Sequence, residues 1–183
     1  MYVRYVVLLR GINVGGKNKI KMQDLREQME EIGLTDVKTY IQSGNLLCSS
    51  DLDPASLKRA VEVVLESHFG MRVRVLVRTV VEFVKVIEHL PFTSEEVAQV
   101  EAAEPEAVHL YVYFLDEAPL PEQIARLEAG VVGQDQVRAG QREIYLLCET
   151  SIRFSKVAAR VPRVFPEATA RNWKTELKIK ELA

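Results

Sequence analysis

Residues 37–48, VKTYIQSGNLLC, read as two short β-rich runs, Val37–Ile41 and Leu46–Cys48, joined through Gln42-Ser43-Gly44-Asn45. Gly and Asn tolerate positive φ, so this spacing predicts a β-hairpin. Upstream, Met22, Leu25, Met29 and Ile32 recur at helical spacing and stop at Gly33, which predicts an amphipathic helix over Lys21–Ile32 with a glycine C-cap. Before it, Val3–Leu9 is an unbroken apolar run of the kind that forms a central strand buried on both faces. Downstream, Asp53-Pro54 supplies an N-cap and a proline at the first helical position, and Leu57, Val61, Val64 and Leu65 form the apolar stripe. Arg72–Arg78 (RVRVLVR) alternates with period two. Thr79 with Glu82 then makes a capping box that opens a helix to Leu90, ahead of Pro91. The order is β-α-β-β-α-β with a trailing helix, the split βαβ or ferredoxin-like pattern.

The second half repeats that order. A Glu-rich helix near Ser94–Ala103 precedes a strand over Val108–Leu115, a helix over Leu120–Leu127, a hairpin of Gln136–Ala139 and Glu143–Cys148, and a helix over Ile152–Val161. The last strand carries the faintest pattern. Two echoes point to internal duplication: Leu46-Leu47-Cys48 returns as Leu146-Leu147-Cys148, and Arg78-Thr79 at a helix start returns as Arg171-Asn172. The expected fold is therefore α+β, two ferredoxin-like (βαββαβ) halves with mainly antiparallel sheets. Residues 1–91 form the first half, and 92–183 form the second with the C-terminal helix.

Composition sets the outer bounds. A chain of 183 residues, 48% apolar and 27% charged, excludes disorder, collagen and coiled coil. A formal charge of -2 argues against a uniformly basic nucleic-acid binder while leaving room for a local basic patch. The two cysteines, Cys48 and Cys148, close apolar runs and are too few for a disulfide framework, which fits a reducing, cytoplasmic compartment. The apolar run Val6–Leu9 is too short for a signal segment or a bilayer span, so no membrane association is expected.

The strings LLRGINVGGKNKIKM (8–22), TYIQSGN (39–45), Phe69-Gly70 followed by VLVRT (75–79), Ser155-Lys156 and ATARNW (168–173) resemble the bacterial domain of unknown function 1697 family over nearly the whole chain. The resemblance implies two ferredoxin-like halves. It also implies shared polar positions near Arg10–Lys21, Ser43–Asn45 and Arg171–Trp173. It implies no established substrate. Lys174 departs from the pattern, standing where a smaller neutral residue is more usual.

The stretch RGINVGGKNKIK (10–21) has the composition of an anion cradle. Gly11, Gly15 and Gly16 free the backbone to aim N–H groups into a concavity, and Arg10, Lys17, Lys19 and Lys21 add cations with no acid before Asp24. In a split βαβ the exit of the first strand and the Ser43-Gly44-Asn45 turn share one end of the sheet. The expected function is binding of a small anionic or phosphate-bearing ligand by Arg10, Gly11, Asn13, Gly15, Gly16, Lys17, Lys19, Ser43, Gly44 and Asn45. Arg171 and Asn172 at a helix start offer a second anion-binding point.

Alternatives have their own residues. Gly11–Lys17 matches G-x-x-x-x-G-K, but Asn18 replaces the hydroxyl that holds Mg²⁺ and an antiparallel sheet is the wrong frame, which argues against an NTPase. Tyr111 and Tyr113 in LYVYFL could stack bases, so binding of RNA or single-stranded nucleic acid stands as an alternative. A protein-interaction module without catalysis is the other. His68, His89 and His109 lie singly and suggest no metal. Ser155-Lys156 and Ser43 lack a base, Glu95-Glu96 reads as a solvated helix start, and no catalytic residue or cofactor is assigned.

Overall fold

The computed structural model describes all 183 residues, Met1–Ala183. The first repeat runs β1 (Val3–Leu9), α1 (Met22–Glu31), β2 (Thr35–Tyr40), β3 (Asn45–Ser50), α2 (Pro54–Ser67), β4 (Val75–Thr79) and α3 (Val80–Glu88). The second runs α4 (Ser94–Ala103), β5 (Leu110–Phe114), α5 (Pro121–Glu128), β6 (Gln136–Ala139), β7 (Glu143–Leu147), α6 (Lys156–Val164), β8 (Thr169–Asn172) and α7 (Trp173–Leu182). The two sheets have the orders β2-β3-β1-β4 and β6-β7-β5-β8, with every pairing antiparallel. The chain is α+β with two similar halves. Contacts divide it into Met1–Lys85 with Lys178–Ala183, and Val86–Leu177. The division thus falls ahead of Pro91, and the tip of the C-terminal helix belongs with the first unit.

Period-two alternation sorts β1. Tyr5, Val7 and Leu9 enter one apolar cluster with Leu25 and Met29 of α1 and Leu57 and Val61 of α2. Val6 and Leu8 point to the opposite face and are fully buried too. In the second unit Tyr113, Ile144 and Leu146 pack with Leu127 of α5 and with Val157 and Val161 of α6.

Each repeat closes the same way. Arg78 pairs with Val6 and Arg171 with Val112 at matching positions of the two sheets. Both arginines are buried, and each donates Nη1 to the carbonyl before it, Val77 at 3.1 Å and Ala170 at 2.8 Å. The next residue caps the following helix in both: Thr79 Oγ1 accepts from the Glu82 amide at 3.1 Å, and Asn172 Oδ1 from the Thr175 amide at 2.9 Å. Glu82 returns a bond to the Thr79 amide at 2.9 Å, completing the capping box.

Element ends moved where a tertiary partner decides them. Arg72–Arg74 alternate like a strand, but β1 ends at Leu9 and the Arg10 amide bonds the Arg74 carbonyl as β4 begins. Helix α6 starts at Lys156 rather than Ile152, because Ser155 Oγ accepts from the Ala158 amide at 3.1 Å and fixes the N-cap there. Glu96 is more than a solvated acid: it completes the Thr93 capping box and pairs with Arg138, whose guanidinium lies 4.5 Å over the Phe92 ring. No helix is long and apolar enough to cross a membrane.

Candidate functional site

The glycine-rich loop after β1 is a miniature hairpin. Gly15 and Gly16 have φ of 58° and 77°, the Lys17 amide donates to the Val14 carbonyl at 3.0 Å, and Val14 and Lys17 form an antiparallel bridge. Positive φ at both central residues is the requirement of a type I′ turn. An added Cβ at either glycine meets nothing within 4 Å, so they serve the turn's dihedrals rather than close packing. One step down the hairpin, the Asn13 amide donates to the Asn18 carbonyl at 3.1 Å. At its base the Asn18 side chain reaches the Gly11 carbonyl at 3.0 Å.

Asn13 ties this loop to the sheet. Its Nδ2 donates to the Ile20 carbonyl at 3.0 Å and the Gln42 carbonyl at 2.8 Å, and its Oδ1 accepts from the Ile20 amide at 2.9 Å. The β2–β3 turn docks from the other side, where the Leu9 amide donates to the Gly44 carbonyl at 2.8 Å. Gly44 has a φ of 79°, and a Cβ there would stand 2.8 Å from Leu9 Cβ and 3.0 Å from its carbonyl oxygen. Loop and turn are therefore neighbours, as the split βαβ topology requires.

Between them lies an open cleft of about 800 Å³. Asn13, Gly16, Lys19 and Lys21 line it from the loop, and Gln42 from the turn. Ile20, Asp24 in the first turn of α1 and Phe69 just beyond α2 complete the wall. Lys21 is the N-cap of α1 and no side chain caps that helix, so first-turn N–H groups add positive partial charge beside the two lysines. Phe69 is half-buried, with the His68 ring edge-on at 4.7 Å between centroids.

The expected residues fall into groups. Asn13, Gly16 and Lys19 line the cleft; Arg10, Gly11, Gly15 and Lys17 shape the loop around it without lining it. Asn45 is buried and spends its amide on the Tyr40 carbonyl at 3.0 Å and Ser43 Oγ at 3.1 Å, so this pair holds the turn. Arg171 and Asn172 belong to the second unit. Burial lowers the Arg171 guanidinium to about 10, with Glu176 pulling the other way. Gln42 lies in the turn expected to take part, whereas sequence spacing missed Asp24 and Phe69. For Phe69 one signal existed, the Phe-Gly pair within the family-like strings.

The other candidates have structural placements. Tyr113 is buried in the second unit's core with residues of α5 and α6, and Tyr111 is partly buried against the same cluster. His109 sits with its ring nitrogens 2.8 Å from the Cys148 carbonyl and 2.9 Å from the Glu104 carbonyl. Cys48 and Cys148 are buried free thiols, and burial pushes them up to about 11 and about 12. No group of three or more His, Cys, Asp or Glu side chains is placed to hold a metal ion.

A family model described as "Protein of unknown function (DUF1697)" matches residues 2–145. Among solved structures, the conserved bacterial protein SP0830 from Streptococcus pneumoniae is similar, with 26% identity and a TM-score of 0.77. The match covers 100% of this chain and 99% of that one. Comparison with curated proteins finds no match.

Proposed function

The chain belongs to the DUF1697 family, and we propose that its first unit binds a small phosphate-bearing ligand in the cleft between the Asn13–Lys21 loop and the Gln42 turn. One observation carries the reading: Lys19 and Lys21 line a single cleft of about 800 Å³ with no ion pair of their own, and Asp24 is the one acid in its lining. That volume lies within the usual range for small-molecule sites. Lysine ammonium groups suit a phosphate as point charges, and the uncapped start of α1 adds to the same field. Asn13 uses its side chain to hold the loop, Gln42 brings a neutral amide to the rim, and Phe69 with Ile20 gives an apolar wall for the body of the ligand.

The reading assigns no reaction, because no nucleophile with an adjacent base lines the cleft. Burial of Tyr113 and partial burial of Tyr111 against the same cluster favour the small-ligand reading over nucleic-acid binding. Buried free thiols at Cys48 and Cys148 fit a reducing compartment, and we place the protein in the cytoplasm on that ground.

Calorimetry with pyrophosphate and with adenosine monophosphate tests the site. Kd values of about 10 µM to 1 mM at low salt are expected, weakening as salt rises. The Lys19→Ala/Lys21→Ala double variant should lose the heat that belongs to this cleft. Heat of equal size from that variant would remove the cleft as the site.

A further inference from the structure

A second set of cations gathers on the helical side of the second unit. Arg126 of α5 and Arg160 and Arg163 of α6 line one hollow of about 260 Å³, with Ala129 and Val164 as its apolar part. No acid lines the hollow, and none of the three guanidiniums makes an ion pair. Arg126 and Arg163 stand in the last turns of their helices, where a cation offsets the negative end of the helix dipole. That accounts for two of the three.

Arg160 stands in mid-helix and is held by something else. Its stem lies against Gly130, where a Cβ would fall 2.5 Å from its Cδ and 2.6 Å from its Nε. Gly130 is buried and is not among the glycines at positive φ, so its missing side chain serves this close approach rather than a turn. Arg160 Nη1 then donates to the Arg126 carbonyl at 3.2 Å. A glycine and a carbonyl thus fix one guanidinium beside two others. Like charges so placed repel one another, and an oxyanion between them turns the repulsion into attraction. Guanidinium forks match phosphate oxygens in pairs, which ammonium groups do not.

We propose that this hollow is a second anion site, one that takes a single compact phosphate group, either the free anion or a terminal phosphomonoester. The helix C-termini oppose an anion, so three cations are needed where one would not suffice. Arg160 is the pre-placed fork, and Arg126 and Arg163 neutralise the remaining charge.

The test follows the arginine Nε–Hε signals of the full chain by NMR during titration with inorganic phosphate, against chloride at matched ionic strength. The signals of Arg126, Arg160 and Arg163 should shift together and saturate, and Lys19→Ala/Lys21→Ala should leave them unchanged. Arg160→Gln should weaken binding about tenfold or more, the loss of one charge-assisted bond. Gly130→Ala keeps every charge and displaces the Arg160 arm, its Cβ also standing 3.1 Å from the Leu127 carbonyl oxygen, and should weaken binding several-fold with at most a small fall in melting temperature. A dinucleotide with and without a 5′ phosphate identifies the source: preference for the phosphorylated form over inorganic phosphate marks a phosphomonoester, and equal affinity marks the free anion. Shifts that never saturate, or that spread equally to Arg153 and Arg142, would overturn the proposal. So would a Gly130→Ala protein that binds phosphate as tightly as the parent.

Discussion

Asn13 donates its side-chain amide to the Gln42 carbonyl at 2.8 Å and thereby fastens the loop after β1 to the turn after β2. The same side chain makes two bonds to Ile20, so one residue sets both walls of the cleft. Asn13→Ala loses all three bonds and places alanine at a φ of 55°. At roughly 0.5–1.5 kcal/mol net per bond and about 1 kcal/mol for the left-handed backbone, the expected loss is about 2.5–5.5 kcal/mol in urea unfolding. Amide exchange over residues 13–20 should speed up in the same variant. Unchanged exchange there would mean that Asn13 does not hold the loop.

Two glycines of this region separate by the same substitution. Gly44→Ala forces a Cβ against Leu9 and into a backbone with a φ of 79°. A loss of about 2–4 kcal/mol is expected from strain and overpacking together. Gly15→Ala meets open space, and only the dihedral cost of about 1 kcal/mol applies. Equal losses would contradict the distinction between close packing and turn geometry.

Ile41 is exposed yet stands at a φ of 49°, where a β-branched residue is strained. Asparagine adopts that region readily, so Ile41→Asn should stabilise the protein by about 1 kcal/mol. A lower urea midpoint in this variant would show that Ile41 contributes packing that its exposure does not reveal.

The architecture was legible because local signals agreed with one another. The Gln42–Asn45 turn, the Asp53-Pro54 cap and the Thr79/Glu82 box each marked an element end, and the Arg78/Arg171 echo proved to be one buried arginine and one helix cap in each repeat. The site was only half legible. Gly15 and Gly16 read in sequence as freeing the backbone, and the Val14–Lys17 bond makes them the centre of a turn that brings Gly16 to the cleft; a glycine pair in sequence does not tell which of these it serves. Phe69 and Asp24 reach the cleft from helix ends far from each other in the chain, which no local spacing encodes.

Glu176 gives a pH prediction. Burial pushes its carboxyl from 4.5 up to about 8 against the pull of Arg171, and neither of its oxygens accepts a hydrogen bond. Its pKa is higher in the folded than in the unfolded chain, so between those values the native state holds a proton the unfolded state has lost. Stability therefore falls as pH rises through this window. Asp53 and Glu96 are held below the usual carboxylate range, chiefly by hydrogen bonds from Ser56 and Arg138, and act at lower pH. Melting temperatures from about pH 5 to about pH 8 should decline less for Glu176→Gln than for the parent. Parallel declines would show that another group titrates.

The central claim is that amides and lysines around the first strand's exit hold a phosphate-bearing ligand. Backbone NMR of the full chain titrated with adenosine monophosphate to about 10 mM, enough to populate even a millimolar site, tests it most directly. The account predicts saturable shifts at the Asn13–Asp24 stretch, Gln42 and Phe69, and the loss of those shifts, separately from any at Arg126, Arg160 and Arg163, in the Lys19→Ala/Lys21→Ala variant. A spectrum that does not change at those residues, or that changes equally in the variant, would contradict it.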